Sequence, residues 1–118
     1  MKITIFLDPL PQSRVRFSGG RAYEEKRLTE YKEMLKWCFA EKMAGTPPTG
    51  APVAVEIKFF RKYKASSRRF GDCDNLVKAV QDACNGIIWA DDSQVVRLTA
   101  AKYTSNFPRV EIDIAILD

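Results

Sequence analysis

Alternating apolar and polar positions predict four β-strands in this chain. Side chains point to opposite faces of a strand in turn, so strict alternation indicates a strand with one buried face. The first has Ile3 and Ile5 on one face and Lys2 and Thr4 on the other. The four predicted strands cover residues 2–7, 53–59, 95–103 and 109–117. A short segment that contains Pro108 separates the last two, which predicts that they form a hairpin.

Apolar positions at helical spacing predict two α-helices between the strands. In residues 24–43 the apolar positions fall on one helical face, with glutamate and lysine between them. Residues 74–85 form the second helix, and Asn85-Gly86 is a natural stop for it. The order strand, helix, strand, helix, strand, strand predicts one α+β domain over residues 1–118, with a mixed sheet and helices packed on it.

Composition excludes several classes of protein. The chain has 118 residues, 46% of them hydrophobic and 29% charged, which suits a single globular domain. Its apolar runs are too short to cross a membrane and no export signal is visible, so we expect it in the cytoplasm, with no membrane partner. Histidine is absent, which excludes histidine-dependent nucleophilic catalysis and histidine-containing zinc sites. The three cysteines include no Cys-x-x-Cys pair and predict free thiols.

Basic residues cluster in two segments that lack acids. The net charge of +4 is only a weak indication of a polyanionic partner. However, residues 57–71 contain six lysines and arginines, and residues 9–23 contain three arginines. Most charge runs are solvated loops, yet two of them in one small domain favour phosphate binding. The candidate phosphate-binding residues are Arg14, Arg16, Arg21, Lys62, Lys64, Arg68 and Arg69.

Two aspartates stand where the second basic segment becomes the second helix. Asp72 and Asp74 are two positions apart, so in extended backbone both carboxylates point the same way. Lys78 lies one helical turn after Asp74. Asp91 and Asp92 stand at the entry to the third predicted strand, and one of them joins the pair if that strand lies beside the helix start. Such a cluster favours a hard divalent cation, Mg²⁺ or Mn²⁺.

Ordinary structural roles explain the same acids about as well on spacing alone. Asp74 is a plausible helix cap, and Asp72 is favourable near the positive end of the helix. Lys78 has acids four residues away on both sides, Asp74 and Asp82, which suits helical ion pairs. Asp91-Asp92 suits a turn. The sequence excludes an EF-hand loop and a Walker A loop, because neither pattern is present.

Residues 72–78 read DCDNLVK, and residues 89–95 read WADDSQV. Together these segments resemble the RusA family of Holliday-junction resolvases, whose pattern is DxDNLxK followed by a helix and W-x-DD-x-Q-V. Residues 9–16, PLPQSRVR, also resemble the proline- and arginine-containing opening of many members. Length and element order agree, so the resemblance covers essentially the whole chain.

The resemblance implies a Mg²⁺-dependent endodeoxyribonuclease, with Mn²⁺ as a substitute metal and no organic cofactor. Such an enzyme acts as a homodimer that resolves four-way DNA junctions by paired nicks in recombination and repair. By position, the implied metal ligands are Asp72, Asp74 and Asp92, with Asp91 as the alternative to Asp92. Lys78 is the implied catalytic lysine. Asp82 matches a family position, and we interpret it as a partner of Lys78 or a supporting group.

Two other functions stay open at this point. A non-catalytic DNA-binding module would have a similar charge pattern, and so would a metal nuclease that acts on other branched nucleic acids. Phe70 and Tyr63 either pack within their loop or wedge into an unstacked base step. A bacterial chromosome, a prophage and a phage are all suitable sources for so short a chain.

Overall fold

The computed structural model describes residues 1–12, 16–19, 21–23 and 25–117, with side chains for all of these except 16–18 and 21–23. Its centre is a mixed four-stranded sheet, made of β1 (Lys2–Ile5), β4 (Val53–Arg61), β5 (Val95–Thr104) and β6 (Arg109–Ile116). The order of the strands across this sheet is β1-β6-β4-β5. β2 (Arg16–Ser18) and β3 (Arg21–Tyr23) form a separate antiparallel hairpin. The helices are α1 (Lys26–Lys42) and α2 (Cys73–Cys84).

The predicted α+β class, with its order of strands and helices, is confirmed. The β2–β3 hairpin adds two short strands that alternation did not predict. Its turn contains Gly19 at a φ of +59°, a conformation that glycine adopts without strain.

The alternation in β4 shows how the sheet forms its core. Val53, Val55, Ile57 and Phe59 are buried, whereas the residues between them are at least partly exposed. The buried face packs under the helices, where the apolar stripe of α1 is Leu28, Tyr31, Leu35 and Phe39. Removal of this apolar surface from water is the main stabilising contribution to such a core, at about 25 cal/mol for each Å².

α2 connects two parallel neighbours, β4 and β5. A helix in such a crossover runs back along the sheet, antiparallel to both strands. Residues that precede α2 therefore lie at the end of the sheet where β4 stops. Residues that follow α2 lie at the opposite end, where β5 begins beside Val53. This polarity determines where the candidate functional residues lie.

The predicted hairpin of the last two strands is wrong. β5 and β6 lie on opposite sides of β4, and β6 pairs antiparallel with both β4 and β1. The connection between them crosses the end of β4, where the Ser105 amide donates to the Arg61 carbonyl at 2.8 Å. β6 takes the interior position because its apolar residues Val110, Ile112 and Ile114 are all buried between neighbours. Much of β5 is exposed at the edge of the sheet.

Over the described parts of the chain, none of the helices combines the length and the apolar character needed to cross a membrane.

Candidate active site

The start of α2 presents two carboxylates to solvent. Asp72 is the N-cap residue and Asp74 lies in the first turn, and both side chains are exposed. The Asp72 side chain makes no capping hydrogen bond, and neither carboxylate has a hydrogen-bond or salt-bridge partner among the described residues. The alternative in which Asp74 serves as the helix cap is therefore wrong. The positive end of the helix still favours both negative charges.

Lys78 is exposed on α2, one turn beyond Asp74. Neither of the helical ion pairs that its spacing suggested is present in the described structure. Asp82 pairs instead with Lys32 of α1, at 3.2 Å, so its interpretation as a partner of Lys78 is wrong. Asp82 connects the two helices, and the Lys78 ammonium stays available at the surface.

A buried arginine holds the segment that leads into α2. Arg61, at the end of β4, is only 3% exposed. Its guanidinium donates to both carboxylate oxygens of Asp8, at 2.9 and 3.1 Å. It also donates to the carbonyls of Arg69 and Phe70, at 3.2 and 2.8 Å. These carbonyls lie three and two residues before Asp72, so Arg61 limits where α2 can begin.

Contacts from β5 and from the N-terminal segment around Pro11 also hold the residues before α2. Lys102 of β5 donates from its ammonium to the Gly71 carbonyl at 2.9 Å. Gly71 has a φ of +100°, and a Cβ on it would lie 2.9 Å from Cγ of Pro11. The Gln12 amide donates to the Asn75 carbonyl at 2.8 Å, within the first turn of α2. The proline-containing opening of the chain therefore packs against the carboxylate-bearing turn.

Asp91 and Asp92 have different environments. Asp91 caps the short 3₁₀ helix Asp92–Gln94 in a reciprocal capping box with Gln94. A hydrogen bond from the Ser93 hydroxyl and another from the Ser93 backbone amide, at 3.0 Å, lower the pKa of Asp91. The Asp92 side chain is exposed and has no partner in the described part of the chain. Local geometry thus gives Asp91 a structural role and leaves Asp92 available.

One chain does not bring Asp91 or Asp92 to Asp72 and Asp74. The Gln94 amide donates at 2.8 Å to the carbonyls of Thr49 and Ala51, just before β4 begins. Asp72 lies at the other end of α2, whose 12 residues span about 18 Å. The condition under which one of them would join the pair is not met, because β5 runs parallel to β4 and its entry therefore lies at the opposite end of the sheet from the start of α2.

The described residues accordingly contain no group of three or more cysteine, aspartate or glutamate side chains placed to hold a metal ion. The donor chemistry nevertheless suits Mg²⁺, because carboxylate oxygens are its preferred protein ligands. Of the three expected side chains, the described structure brings Asp72 and Asp74 to one place and leaves Asp92 at the other end of α2.

The basic residues before α2 form an exposed surface. Lys62, Lys64, Arg68 and Arg69 are exposed, and no described residue pairs with their side chains. Arg16 and Arg21 lie in the β2–β3 hairpin, where only the backbone is described, and Arg14 lies outside the described residues. The basic residues of this loop therefore directly precede, in the chain, the segment that carries the carboxylates of Asp72 and Asp74.

Sequence reasoning missed the pairing of Arg61 with Asp8. Alternation in β4 contained the signal, because position 61 continues the series of inward-facing residues that includes Phe59.

The two aromatic residues considered as DNA wedges, Phe70 and Tyr63, differ in their exposure to solvent. Phe70 is fully buried, so it packs within the core and its role as a DNA wedge is excluded, whereas Tyr63 is 38% exposed.

Comparison with known proteins supplies an independent finding. The family model described as endodeoxyribonuclease RusA matches residues 7–115. A Bacillus subtilis (strain 168) protein named YqaN, which is described as uncharacterized, is 32% identical to this chain. That alignment covers 97% of this chain and 94% of the relative.

Proposed function

The chain belongs to the RusA endodeoxyribonuclease family, and we propose that it is a Mg²⁺-dependent homodimer that resolves four-way DNA junctions by paired nicks. Membership in this family indicates an endodeoxyribonuclease of Holliday junctions. The proposal adds the metal, the residues that hold it and the dimer. It places the enzyme in recombination and repair of bacterial, prophage or phage DNA in the cytoplasm.

The observation that supports the proposal most strongly is the start of α2. Two exposed carboxylates, Asp72 and Asp74, have no partner in the described structure, and the segment before them is held by Arg61, Lys102 and packing at Gly71. Several contacts that fix the backbone beside unpaired acidic side chains are typical of a functional site rather than of a helix cap.

Each residue then has a defined task. Asp72 and Asp74 would hold Mg²⁺ beside the scissile phosphate. When bound, Mg²⁺ neutralises phosphate charge and lowers the pKa of a coordinated water, which removes the need for a histidine base. Lys78 has three N–H donors on a compact cation and would bind a phosphate oxygen as negative charge develops. The exposed lysines and arginines of the loop would bind backbone phosphates and position the strand without reading its sequence.

The third carboxylate is supplied in this proposal by a second copy of the chain. Asp92 lies where β5 begins, and Asp72 lies where β5 ends. If two β5 strands meet antiparallel about a two-fold axis, the start of one strand lies beside the end of the other. Asp92 of the partner subunit then lies at the same end as Asp72 and Asp74, and the symmetric dimer has two such sites.

The edge of β5 has the properties that such a contact requires. β5 is a ten-residue strand at the edge of the sheet, so the backbone groups along its outer side have no partner strand among the described residues. Val96 and Leu98 on it are 62% and 43% exposed. A pair of two-fold-related β5 strands would satisfy the backbone groups and cover these apolar side chains.

A cleavage assay tests the catalytic part of the proposal. The chain is incubated with a synthetic four-way junction and with linear duplex, with Mg²⁺ or with EDTA. We expect symmetric nicks in the junction only with Mg²⁺. Asp72→Asn should lose nicking but retain junction binding, whereas Asp113→Asn on β6 serves as a matched control and should retain both. Junction binding without nicks under several metals would favour the non-catalytic module, and equal cutting of linear duplex would favour a general nuclease.

Mixing two inactive variants tests the shared site. A mixed dimer of Asp72→Asn and Asp92→Asn chains has one site with both substitutions and one intact site. About half of randomly assorted dimers are mixed, so we expect about a quarter of wild-type nicking, on one strand only. A mixture of Asp72→Asn and Asp74→Asn chains should restore no nicking, because every site in every dimer then contains a substituted carboxylate. No recovery in the first mixture, once native mass spectrometry shows mixed dimers, would refute the shared site.

A further inference from the structure

An open cavity of about 450 Å³ lies between the start of α1, the end of β4 and the segment before α2. Leu10 and Leu28 supply apolar wall, and Tyr63 supplies an aromatic ring. Arg27 and Arg69 supply two cations, and Glu25 is the one acid among the described lining residues. Ligand pockets in proteins typically measure about 300–1,000 Å³, so the volume suits one nucleotide-sized group.

The Tyr63 ring is held in place at this cavity. The guanidinium carbon of Arg61 lies 4.8 Å from the ring centroid, a cation–π contact. The Tyr63 carbonyl accepts a hydrogen bond from the Thr104 hydroxyl at 2.9 Å, and the same hydroxyl accepts from the Ala65 amide at 3.1 Å. A ring that is positioned in advance and still 38% exposed is suited to stack on a planar group.

The two cations at the cavity are available for an anion. Arg27 and Arg69 are exposed, and among described residues their side chains have neither a hydrogen bond nor an ion pair. Arg61 is not available, since Asp8 and two carbonyls use its donors. An aromatic ring and two arginines without a described partner, lining one cavity, match a base with its flanking phosphates.

The cavity shares a wall with the candidate active site. Arg69 lines the cavity three residues before Asp72, and Pro11 lines it while contacting Gly71. A nucleotide held in the cavity would therefore place its neighbouring phosphate toward the carboxylates of α2. When the four arms of a junction are held open, each base pair at the branch point stacks on one side only, so its bases unstack at lower free-energy cost than bases inside a duplex.

We propose that this cavity binds one unstacked nucleotide of the junction, with the base stacked on Tyr63 and its phosphates paired with Arg27 and Arg69. This inference rests on the proposed function, because it requires that the chain binds branched DNA. It adds a second point of recognition to the site, beyond the carboxylates and Lys78, and explains how branch points are preferred over linear duplex.

The junction contains 2-aminopurine directly beside the branch-point base that is expected to unstack. Stacking quenches 2-aminopurine fluorescence, so its fluorescence rises when the neighbouring base leaves the stack and enters the cavity. All chains have the Asp72→Asn substitution so that the DNA stays intact. We expect the 2-aminopurine fluorescence to rise several-fold when the chain binds. Tyr63→Phe should retain this rise, and Tyr63→Ala should lose it. Loss of one base–aromatic stack should also weaken junction binding about 10-fold. Trp37→Ala removes an exposed aromatic on α1 that does not line the cavity, and it should change neither quantity.

Binding is measured in parallel by fluorescence anisotropy, which separates the two proposals. Tight binding without a 2-aminopurine signal, or an undiminished signal in Tyr63→Ala, would overturn the cavity proposal and leave the proposed function standing. A chain that binds no junction in any form would overturn both. Circular dichroism of Tyr63→Ala confirms that the variant is folded.

Discussion

Replacement of Arg61 is the sharpest test of how the fold supports the carboxylates of α2. The side chain is 3% exposed, and its guanidinium makes two hydrogen bonds to Asp8 and two to backbone carbonyls. Arg61→Met keeps much of the apolar volume but removes every donor. The carbonyls of Arg69 and Phe70 then lose their partner, and the Asp8 carboxylate loses its counter-charge.

The expected loss follows from the burial of each group. Removal of one partner from a buried ion pair costs about 3–5 kcal/mol. Asp8 has a side chain that is 44% exposed, so water replaces part of what it loses and the lower end applies. We therefore expect Arg61→Met to lower the free energy of unfolding by about 3 kcal/mol. Arg61→Lys keeps the charge but not the planar fork, so we expect an intermediate loss of about 2 kcal/mol.

Urea unfolding followed by far-UV circular dichroism measures both values. The double-mutant cycle with Asp8→Ala isolates the pair, and we expect a coupling free energy of about 1–2 kcal/mol. The transition midpoint should fall while its slope against urea concentration stays constant. A loss below about 1 kcal/mol in Arg61→Met would refute the view that this arginine stabilises the segment before α2, and additive effects in the cycle would refute a stabilising contribution of its pair with Asp8.

Three further predictions concern other features of the chain. Asp92→Asn should reduce junction nicking at least about 100-fold, whereas Asp91→Asn should leave it nearly unchanged, because asparagine also caps helices; equal effects in the nicking assay would contradict this distinction. Gly71→Ala should lower the free energy of unfolding by about 1–3 kcal/mol, since alanine is strained at a φ of +100° and its Cβ would meet Pro11; an unchanged urea midpoint would contradict it. Burial raises the pKa of the Cys84 thiol, so the folded chain keeps a proton that the unfolded chain loses above about pH 8.5. Stability should therefore fall by up to about 1.4 kcal/mol per pH unit above that value, and Cys84→Ala should remove this slope in urea titrations between pH 8.5 and 9.5.

The sequence was sufficient to predict where the helices and strands lie in the chain, but not which strands pair with each other in the sheet. Residue periodicity is a local property, and it located both helices and all four strands of the main sheet to within a few residues. Strand pairing depends on which buried surfaces are complementary across the whole chain. Nothing local distinguishes β6, which lies between two partners, from β5, which lies at an edge, except that the apolar face of β6 is more regular.

The role of Arg61 could not be predicted from its own segment for a related reason. Arg61 follows two uncharged residues, Phe59 and Phe60, at the start of a basic loop, where a charged side chain is expected to face solvent. Its burial depends on Asp8, which is 53 residues away and supplies the opposite charge. An inward position in a strand can hold a cation only when such a partner exists, and the partner's location is a property of the fold.

The separation of Asp72 from Asp92 follows from topology rather than from detail. When a helix connects two parallel neighbouring strands, it must return the chain to the end where the first strand began. The loop before that helix and the loop after it therefore lie at opposite ends of the sheet, whatever their residues. The two halves of the motif are only about twenty residues apart in sequence, yet one α2 length of about 18 Å separates them in the fold. In the proposed dimer, a site that uses both halves is assembled from two chains. Asp72→Asn and Asp92→Asn should then complement each other, whereas Asp72→Asn and Asp74→Asn should not.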